Sequence, residues 1–222
     1  MKNHKGSDQV TTNKEQILAK LRNAIIEKPE AMFEDIDLRT DTWKPINEED
    51  GNAITFVQNF KEMGGIFIYL ESEAEFGECV KQLAPQNGWE PLWCTGHQMQ
   101  ALLEKYGLDY CTEPNRENKQ KIVGITTCKY LVAQTGSIIL TDGDTDSRKA
   151  YTEPDVLLVL ARTDQIVESL KEVFQQQKEA FNAHESSQLV ILTGPSRTYD
   201  IEQEVIQGVF GPRQLAVFLI DE

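Results

Sequence analysis

The side chains best suited to binding a small anion lie in the turn that follows an apolar run at residues 189–192. Ser196, Arg197 and Thr198 come directly after Gly194-Pro195 in this turn. A guanidinium and two hydroxyl groups, next to free backbone N–H groups at the start of a helix, can hold a phosphate or a carboxylate. We therefore expect an anion site over Gly194–Thr198.

A strand before this turn and a helix after it must position these side chains. The run from Leu189 to Leu192 predicts a buried strand. Asp200 and Glu202 suit the first turn of a helix, and Gly208 suits a left-handed residue that ends it. Ligands of open α/β sheets bind where such elements meet. In the alternative, the hydroxyl groups only cap the helix and Arg197 pairs with the two carboxylates, which leaves no anion site.

A second set of polar and glycine residues is predicted to lie at other strand ends and turns. This set consists of Thr126, the turn Thr135-Gly136-Ser137, and Arg148 in the long polar loop at residues 141–154. Glycine lets the backbone approach a ligand closely, and the hydroxyl and guanidinium groups are suitable donors. We expect Thr135-Gly136-Ser137 to face the Arg197 turn, with Arg148 supplied by the loop.

Other catalytic and metal-binding patterns have little support in the sequence. The segment TDGDTD at residues 141–146 lacks the glutamate and flanking helices of a calcium loop, so it is interpreted as a solvated acidic loop. No histidine pair has zinc-hydrolase spacing, and no serine lies in a GxSxG elbow. No phosphate loop or dinucleotide fingerprint occurs. We expect no metal and no cofactor bound by this chain.

Charge and cysteine content restrict the partners and the compartment. The 222 residues include 36 acidic and 22 basic side chains, a net charge of −14, which argues against nucleic acid as a partner. The four cysteines (Cys79, Cys94, Cys111 and Cys128) form no CxxC pair, so they predict reduced thiols. No signal peptide or membrane span is visible. We therefore expect a soluble, cytoplasmic protein without membrane insertion.

Alternating strands and helices predict an α/β fold with a mainly parallel sheet covered on both faces. An N-terminal helix from about Asn13 to Ile26 and an acidic linker form an appendage, residues 1–44, before the α/β domain, residues 45–222. Within that domain a short helix is predicted at Lys129–Gln134, and a longer one is predicted to begin at Thr163 or Asp164.

Two blocks of the sequence resemble the LUD-domain family, specifically its LutC/YkgG lactate-utilisation type. They are TGPSRTYDIEQEVIQGVFGPRQLAVFLID near the C-terminus and GITTCKYLVAQTGSIIL at residues 124–140, followed by Arg148 and Pro154. The resemblance covers roughly residues 45–221. Phe210 stands where the family usually has the histidine of GVHGP, and Leu157 stands near a second frequent histidine.

The resemblance implies a three-layer sandwich similar to the NagB/RpiA/CoA-transferase-like fold. It also implies a component of an L-lactate oxidation system, in which lactate becomes pyruvate. The chain would bind substrate or assist assembly. Iron–sulfur clusters would lie on LutA/LutB-like partner proteins, and the ligand of this chain would be a small anion. A homo-oligomer is one of the states that the resemblance allows. The alternatives are a stand-alone small-molecule enzyme of the same fold and an interaction module, so whether the chain is itself catalytic stays open.

Overall fold

The computed structural model describes residues 13–26, 51–89, 91–114, 121–144, 147–182, 188–199, 205–208 and 210–221. The chain divides into two units, Met1–Thr42 and Trp43–Glu222. Helix α1 belongs to the first unit and the α/β elements belong to the second. Most of the acidic linker predicted between the two lies outside the described residues.

Five helices and twelve strands make up the regular structure of the described residues. The helices are α1 (Asn13–Ile26), α2 (Gly51–Glu62), α3 (Glu73–Asn87), α4 (His97–Tyr106) and α5 (Leu170–Asn182). The strands are β1 (Ile66–Leu70), β2 (Leu92–Trp93), β3 (Tyr110–Cys111), β4 (Val123–Thr127), β5 (Tyr130–Val132), β6 (Ser137–Thr141), β7 (Val156–Arg162), β8 (Ile166–Val167), β9 (Leu189–Leu192), β10 (Arg197–Tyr199), β11 (Val205–Gln207) and β12 (Gln214–Ile220). Two 3-10 turns lie at Arg148–Tyr151 and Thr163–Gln165.

A six-stranded parallel sheet forms the centre of the second unit, in the order β1-β12-β7-β4-β2-β3. Its middle strands β7 and β12 are continuous apolar runs because both of their faces are covered. Leu158 and Leu160 point to the face on which α3 and α4 pack. Leu157 and Val159 point to the opposite face. The predicted α/β class with a mainly parallel sheet is therefore confirmed.

The opposite face of the central sheet is covered by α2 together with a second, smaller sheet. That sheet has the order β8-β5-β6-β9 and contains both parallel and antiparallel pairs. Phe56 and Phe60 of α2, stacked 5.4 Å apart, join Leu131 and Ile138 of the small sheet in one core cluster. Val173 of α5 packs in a further cluster formed with the small sheet. The layer between the central sheet and α5 thus contains strands as well as a helix.

Three local predictions are wrong. Lys129–Gln134 is not a helix, because β5 lies there and pairs with β6 and β8. The helix expected from Thr163 begins only at Leu170, after a 3-10 turn and the two-residue strand β8. The segment after Ser196 forms an antiparallel hairpin, β10–β11, instead of a helix; residues 200–204 lie outside the described part.

The ends of α3 and α4 have residues that favour helix capping. Ser72 accepts a hydrogen bond from the Glu75 N–H at 3.3 Å, as an N-cap does. Gly107 ends α4 with φ 65°, in the left-handed conformation that glycine adopts without steric cost. The first turns of α3 and α4 follow β1 and β2 directly, so they lie at the carboxyl edge of the parallel sheet.

Candidate functional site

A cavity of about 330 Å³ lies at the carboxyl edge of the central sheet. It lies beyond the ends of β4 and β7 and next to the first turns of α3 and α4. Crevices at this edge are the usual ligand sites of parallel α/β sheets. Its principal polar lining consists of Glu73, Thr127, Lys129, Asp144, Arg162 and Gln165.

Asp144 is the buried carboxylate of this cavity. Its Oδ2 accepts hydrogen bonds from the Thr141 N–H at 2.7 Å and from the Thr141 hydroxyl at 2.9 Å. Its Oδ1 accepts from the Thr127 hydroxyl at 3.2 Å. Burial raises the pKa of Asp144, while the Thr141 and Thr127 hydrogen bonds and the charge of Lys129 act in the opposite direction. The interpretation of this segment as a solvated acidic loop is therefore wrong for Asp144.

Glu73 joins two cations at the rim of the cavity. Its Oε1 accepts a hydrogen bond from Lys105 Nζ at 2.7 Å, and its Oε2 accepts one from Arg162 Nη2 at 3.1 Å. The Lys105 hydrogen bond is the main cause that lowers the pKa of Glu73, and the charges of Lys105 and Arg162 add to it against the opposing effect of burial. Two positive side chains thus share the Glu73 carboxylate in this cluster.

Gln165 holds the ends of β4 and β7 together beneath these charges. Its Oε1 accepts from the Arg162 N–H at 2.7 Å, and its Nε2 donates to the Cys128 carbonyl oxygen at 2.6 Å. The Cys128 thiol belongs to the apolar core cluster, and burial raises its pKa well above the usual range, with the Asp144 charge adding to the effect. We therefore assign Cys128 to the framework of the cavity and not to its reactive groups.

Of the predicted site residues whose side chains the structure describes, Thr126 is the one beside this cavity. It is buried near the carboxyl end of β4, and its hydroxyl lies 3.1 Å from the carbonyl oxygens of both Thr127 and Asp144. The hydroxyl supports the Asp144 loop through the backbone. Arg148 begins a 3-10 turn, and its side chain lies outside the described part.

The turn Thr135-Gly136-Ser137 lies against the last turn of α2. Ser137 Oγ shares hydrogen bonds with the hydroxyl groups of Thr135 at 2.7 Å and Thr193 at 2.8 Å. Gly136 has φ 62°, and a Cβ atom there would overlap the backbone of Asn59 and Phe60. The glycine is therefore explained by close packing on α2.

The turn Gly194–Thr198 meets the same end of α2, so the two turns do lie close together. A Cβ on Gly194 would come within 2.6 Å of the Met63 carbonyl oxygen, and Arg197 Nη2 donates to that oxygen at 2.8 Å. Ser196 bonds to the turn that precedes β12: its hydroxyl donates to the Phe210 carbonyl at 2.7 Å, and its N–H donates to the Pro212 carbonyl at 2.8 Å.

This turn lies at the amino edge of the parallel sheet, because Met63 precedes β1 and Pro212 precedes β12. The helix that was expected to supply N–H groups to an anion is a hairpin here. The neighbouring helix end is the carboxyl end of α2, whose partial charge is negative. Anion binding at Gly194–Thr198 stays a prediction.

Phe210 and Leu157, which stand at and near positions where the resembled family has histidines, lie in different surroundings. Phe210 is 86% exposed in the turn that receives the Ser196 hydroxyl. Leu157 is fully buried in β7, in the core cluster below α2. Neither residue lines the cavity at the carboxyl edge.

Among the described residues, no group of three His, Cys, Asp or Glu side chains lies close enough to hold a metal ion. In the same part of the chain, no helix has both the length and the apolar character needed to cross a bilayer.

Comparisons with known proteins agree with the fold and with the two sequence blocks. Residues 112–220 match the model of the LUD domain. The crystal structure of a DUF162 family protein from Deinococcus radiodurans superposes with a TM-score of 0.60 at 18% identity, covering 79% of this chain and 99% of that chain. At 18% identity this likeness establishes the fold alone and not a shared function.

Curated relatives of the chain carry the name Lactate utilization protein C. The protein of that name from Deinococcus radiodurans is 35% identical over 97 residues, which are 43% of this chain and 45% of the relative. The one from Geobacillus sp. (strain WCH70) is 23% identical over 176 residues, which are 77% of this chain and 70% of the relative. In several relatives the match spans about half of the relative's own length. Residues 112–220 thus form a region of the LUD-domain type, and the resemblance predicted from the two sequence blocks is confirmed.

Proposed function

We propose that this chain is a LutC-like component of a system that oxidises L-lactate to pyruvate, and that its own contribution is to bind a small carboxylate. The support is the name carried by its relatives together with the charged cavity at the carboxyl edge. The electrons would pass through LutA/LutB-like partner proteins that carry iron–sulfur clusters.

The observation that carries the binding role is the presence of two cations, Arg162 and Lys129, in the cavity lining. Arg162 contacts Glu73, and the charge of Lys129 acts on Asp144. A ligand carboxylate would accept hydrogen bonds from Arg162. The cavity volume of about 330 Å³ falls at the lower end of the range for small-molecule sites, roughly 300–1,000 Å³.

A local positive site is compatible with the strongly acidic chain. The net charge of −14 acts at long range and is screened by salt over about 8–10 Å. A guanidinium in direct contact with a ligand acts at a much shorter distance. A charge-assisted hydrogen bond contributes about 1.5–3 kcal/mol, so loss of Arg162 should weaken a carboxylate by roughly 10- to 150-fold.

A stand-alone enzyme of the same fold is the second candidate, and Asp144 is the observation in its favour. A buried carboxylate with a raised pKa beside a cavity can exchange a proton with a ligand at a pH nearer to neutral than an exposed one. In this case the purified chain alone would convert a substrate, such as a CoA ester.

Titration calorimetry with L-lactate, pyruvate, phosphate and CoA tests the binding role. We expect lactate or pyruvate to bind to the wild-type protein, Arg162→Gln to lose that binding, and Arg197→Gln to keep it. Equal affinities in wild type and Arg162→Gln would refute the proposed site. Turnover of CoA esters by the purified chain alone would favour the second candidate.

Co-purification from the native host tests the partners. Proteins that elute with the tagged wild-type chain should contain iron and acid-labile sulfide, and the eluted complex should reduce an artificial electron acceptor when L-lactate is added. A chain that elutes alone from lactate-grown cells, at native expression levels, would contradict the proposed assembly.

A further inference from the structure

Glu73 supplies the carboxylate that Arg162 contacts in the cluster at the cavity rim. Its Oε2 lies 3.1 Å from Arg162 Nη2, and both residues line the cavity. Its Oε1 is held separately by Lys105, which lies on α4 outside the lining. Each oxygen of the carboxylate therefore has its own cation.

We propose that Glu73 is an internal counter-anion, which a ligand carboxylate replaces at Arg162, and that Glu73 thereby sets the affinity of the cavity for anions. The inference rests on the proposed function, because it concerns the same cavity. Glu73 keeps Lys105 as a partner when Arg162 turns to a ligand, so its carboxylate is not left without a counter-ion in the process.

The exposure of the three side chains is consistent with this exchange. The Glu73 side chain is 20% exposed and that of Arg162 is 39% exposed, whereas that of Lys105 is 60% exposed. Arg162 is therefore accessible to a ligand that enters the cavity, and Glu73 is the more enclosed of the two. A ligand that binds without displacing Glu73 would still face its negative charge, so Glu73 lowers the affinity in either geometry.

The expected effect of removing this charge is moderate. An exposed ion pair is worth up to ~1 kcal/mol, which corresponds to about fivefold in affinity. We expect Glu73→Gln to bind L-lactate or pyruvate two- to fivefold more tightly than the wild type, at constant ionic strength. Glu78→Gln is the matched control, because it removes the same charge from an exposed position of α3 that does not line the cavity.

Calorimetric affinities for L-lactate, pyruvate and phosphate would be measured on the wild type, Glu73→Gln, Glu78→Gln, Arg162→Gln and the double variant Glu73→Gln/Arg162→Gln. The gain from Glu73→Gln should be absent when Arg162 is also replaced. Glu73→Asp retains the charge at the start of α3 and withdraws the carboxylate from Arg162, so it serves if Glu73→Gln does not fold; it should bind more tightly than the wild type.

The outcomes separate the two proposals. If Arg162→Gln loses binding but Glu73→Gln binds no more tightly than the wild type, the counter-anion inference is overturned and the proposed function stands. If Glu78→Gln gains as much affinity as Glu73→Gln, the effect is one of net charge and the inference is again overturned. If no variant binds any of the anions, both proposals fail.

Discussion

Arg197 Nη2 donates a hydrogen bond to the Met63 carbonyl oxygen at 2.8 Å, and so joins the TGPSRT turn to the carboxyl end of α2. A cation at this end of a helix bonds to carbonyl groups that lack a partner within the helix and opposes the partial negative charge there. This contact gives Arg197 a structural partner at the end of the helix.

Arg197→Gln should accordingly change stability and leave ligand affinity unchanged. We expect the free energy of unfolding to fall by about 0.5–1.5 kcal/mol, the contribution of one hydrogen bond, measured by urea denaturation. Arg162→Gln makes the same change of side chain at the other edge of the sheet. It should lower the ligand affinity and leave the free energy of unfolding unchanged. A large loss of affinity in Arg197→Gln would restore the anion site predicted from the sequence.

The sequence predicts the central sheet well because its signal is local to each strand. The apolar runs of β7 and β12 are long enough to be recognised without knowledge of their neighbours. The hairpin was missed because Ser196, Asp200 and Glu202 resemble a helix start, whereas β-branched Val205 and Ile206 pair across to Tyr199 and Thr198. Pairing with a second strand outweighs such capping preferences.

The cavity was missed for a different reason. Glu73, Lys129, Asp144 and Arg162 come from four separate segments, so no local spacing connects them. A signal was nevertheless present: Glu73, Lys129 and Arg162 each lie at or within three residues of the end of a parallel strand, where ligands of such sheets bind. Asp144 follows β6 of the small sheet. It is buried only through contacts formed in the folded chain, whereas the acidic residues next to it in the sequence suggest an exposed loop.

Gly136→Ala should destabilise the protein far more than Gly88→Ala. Both glycines have a left-handed conformation, with φ 62° and 66°, so the backbone strain introduced by alanine is similar, about 1 kcal/mol. Only at Gly136 would the Cβ overlap the backbone of α2; at Gly88 nothing lies within 4 Å. The excess loss of unfolding free energy in Gly136→Ala therefore measures the overlap with α2, and equal losses in urea denaturation would contradict this packing.

Asp144→Asn should become more stable relative to the wild type as the pH rises. Because the pKa of Asp144 is raised on folding, mainly by burial, the folded state holds its proton to higher pH than the unfolded state. The wild type therefore loses stability between the unfolded value, about 3.9, and the raised folded pKa. Asparagine retains an acceptor for Thr141 and carries no charge, so it avoids this loss.

Asp144→Ala is the control for the hydrogen bonds. It leaves the Thr141 N–H without its side-chain acceptor, and we expect its free energy of unfolding to lie about 1–3 kcal/mol below that of Asp144→Asn at all pH values, because neither variant titrates at this position. Urea denaturation of the three proteins from pH 4 to pH 8 measures both effects. A constant difference between wild type and Asp144→Asn over this range would show that the pKa of Asp144 is not raised.

The four cysteines should react with a thiol reagent in two classes. Cys94 and Cys128 are buried, whereas Cys79 and Cys111 are half-buried. Burial also raises the pKa of Cys79, Cys111 and Cys128, which lowers the thiolate fraction of all three, so access decides the order. We expect iodoacetamide at pH 8 to label Cys79 and Cys111 in the folded protein, and Cys94 and Cys128 only when the chain unfolds.

The labelling of Cys128 is also informative about the cavity. Its backbone carbonyl oxygen accepts a hydrogen bond from Gln165, a residue of the cavity lining, whereas its thiol packs in the core. Peptide mass spectrometry after timed labelling gives the rate at each cysteine, and a parallel series in increasing urea shows which rates follow global unfolding. Labelling of Cys128 at the rate of Cys79 in the absence of urea would mean that its thiol reaches the cavity, and Cys128 would then have to be considered as a reactive group of the site.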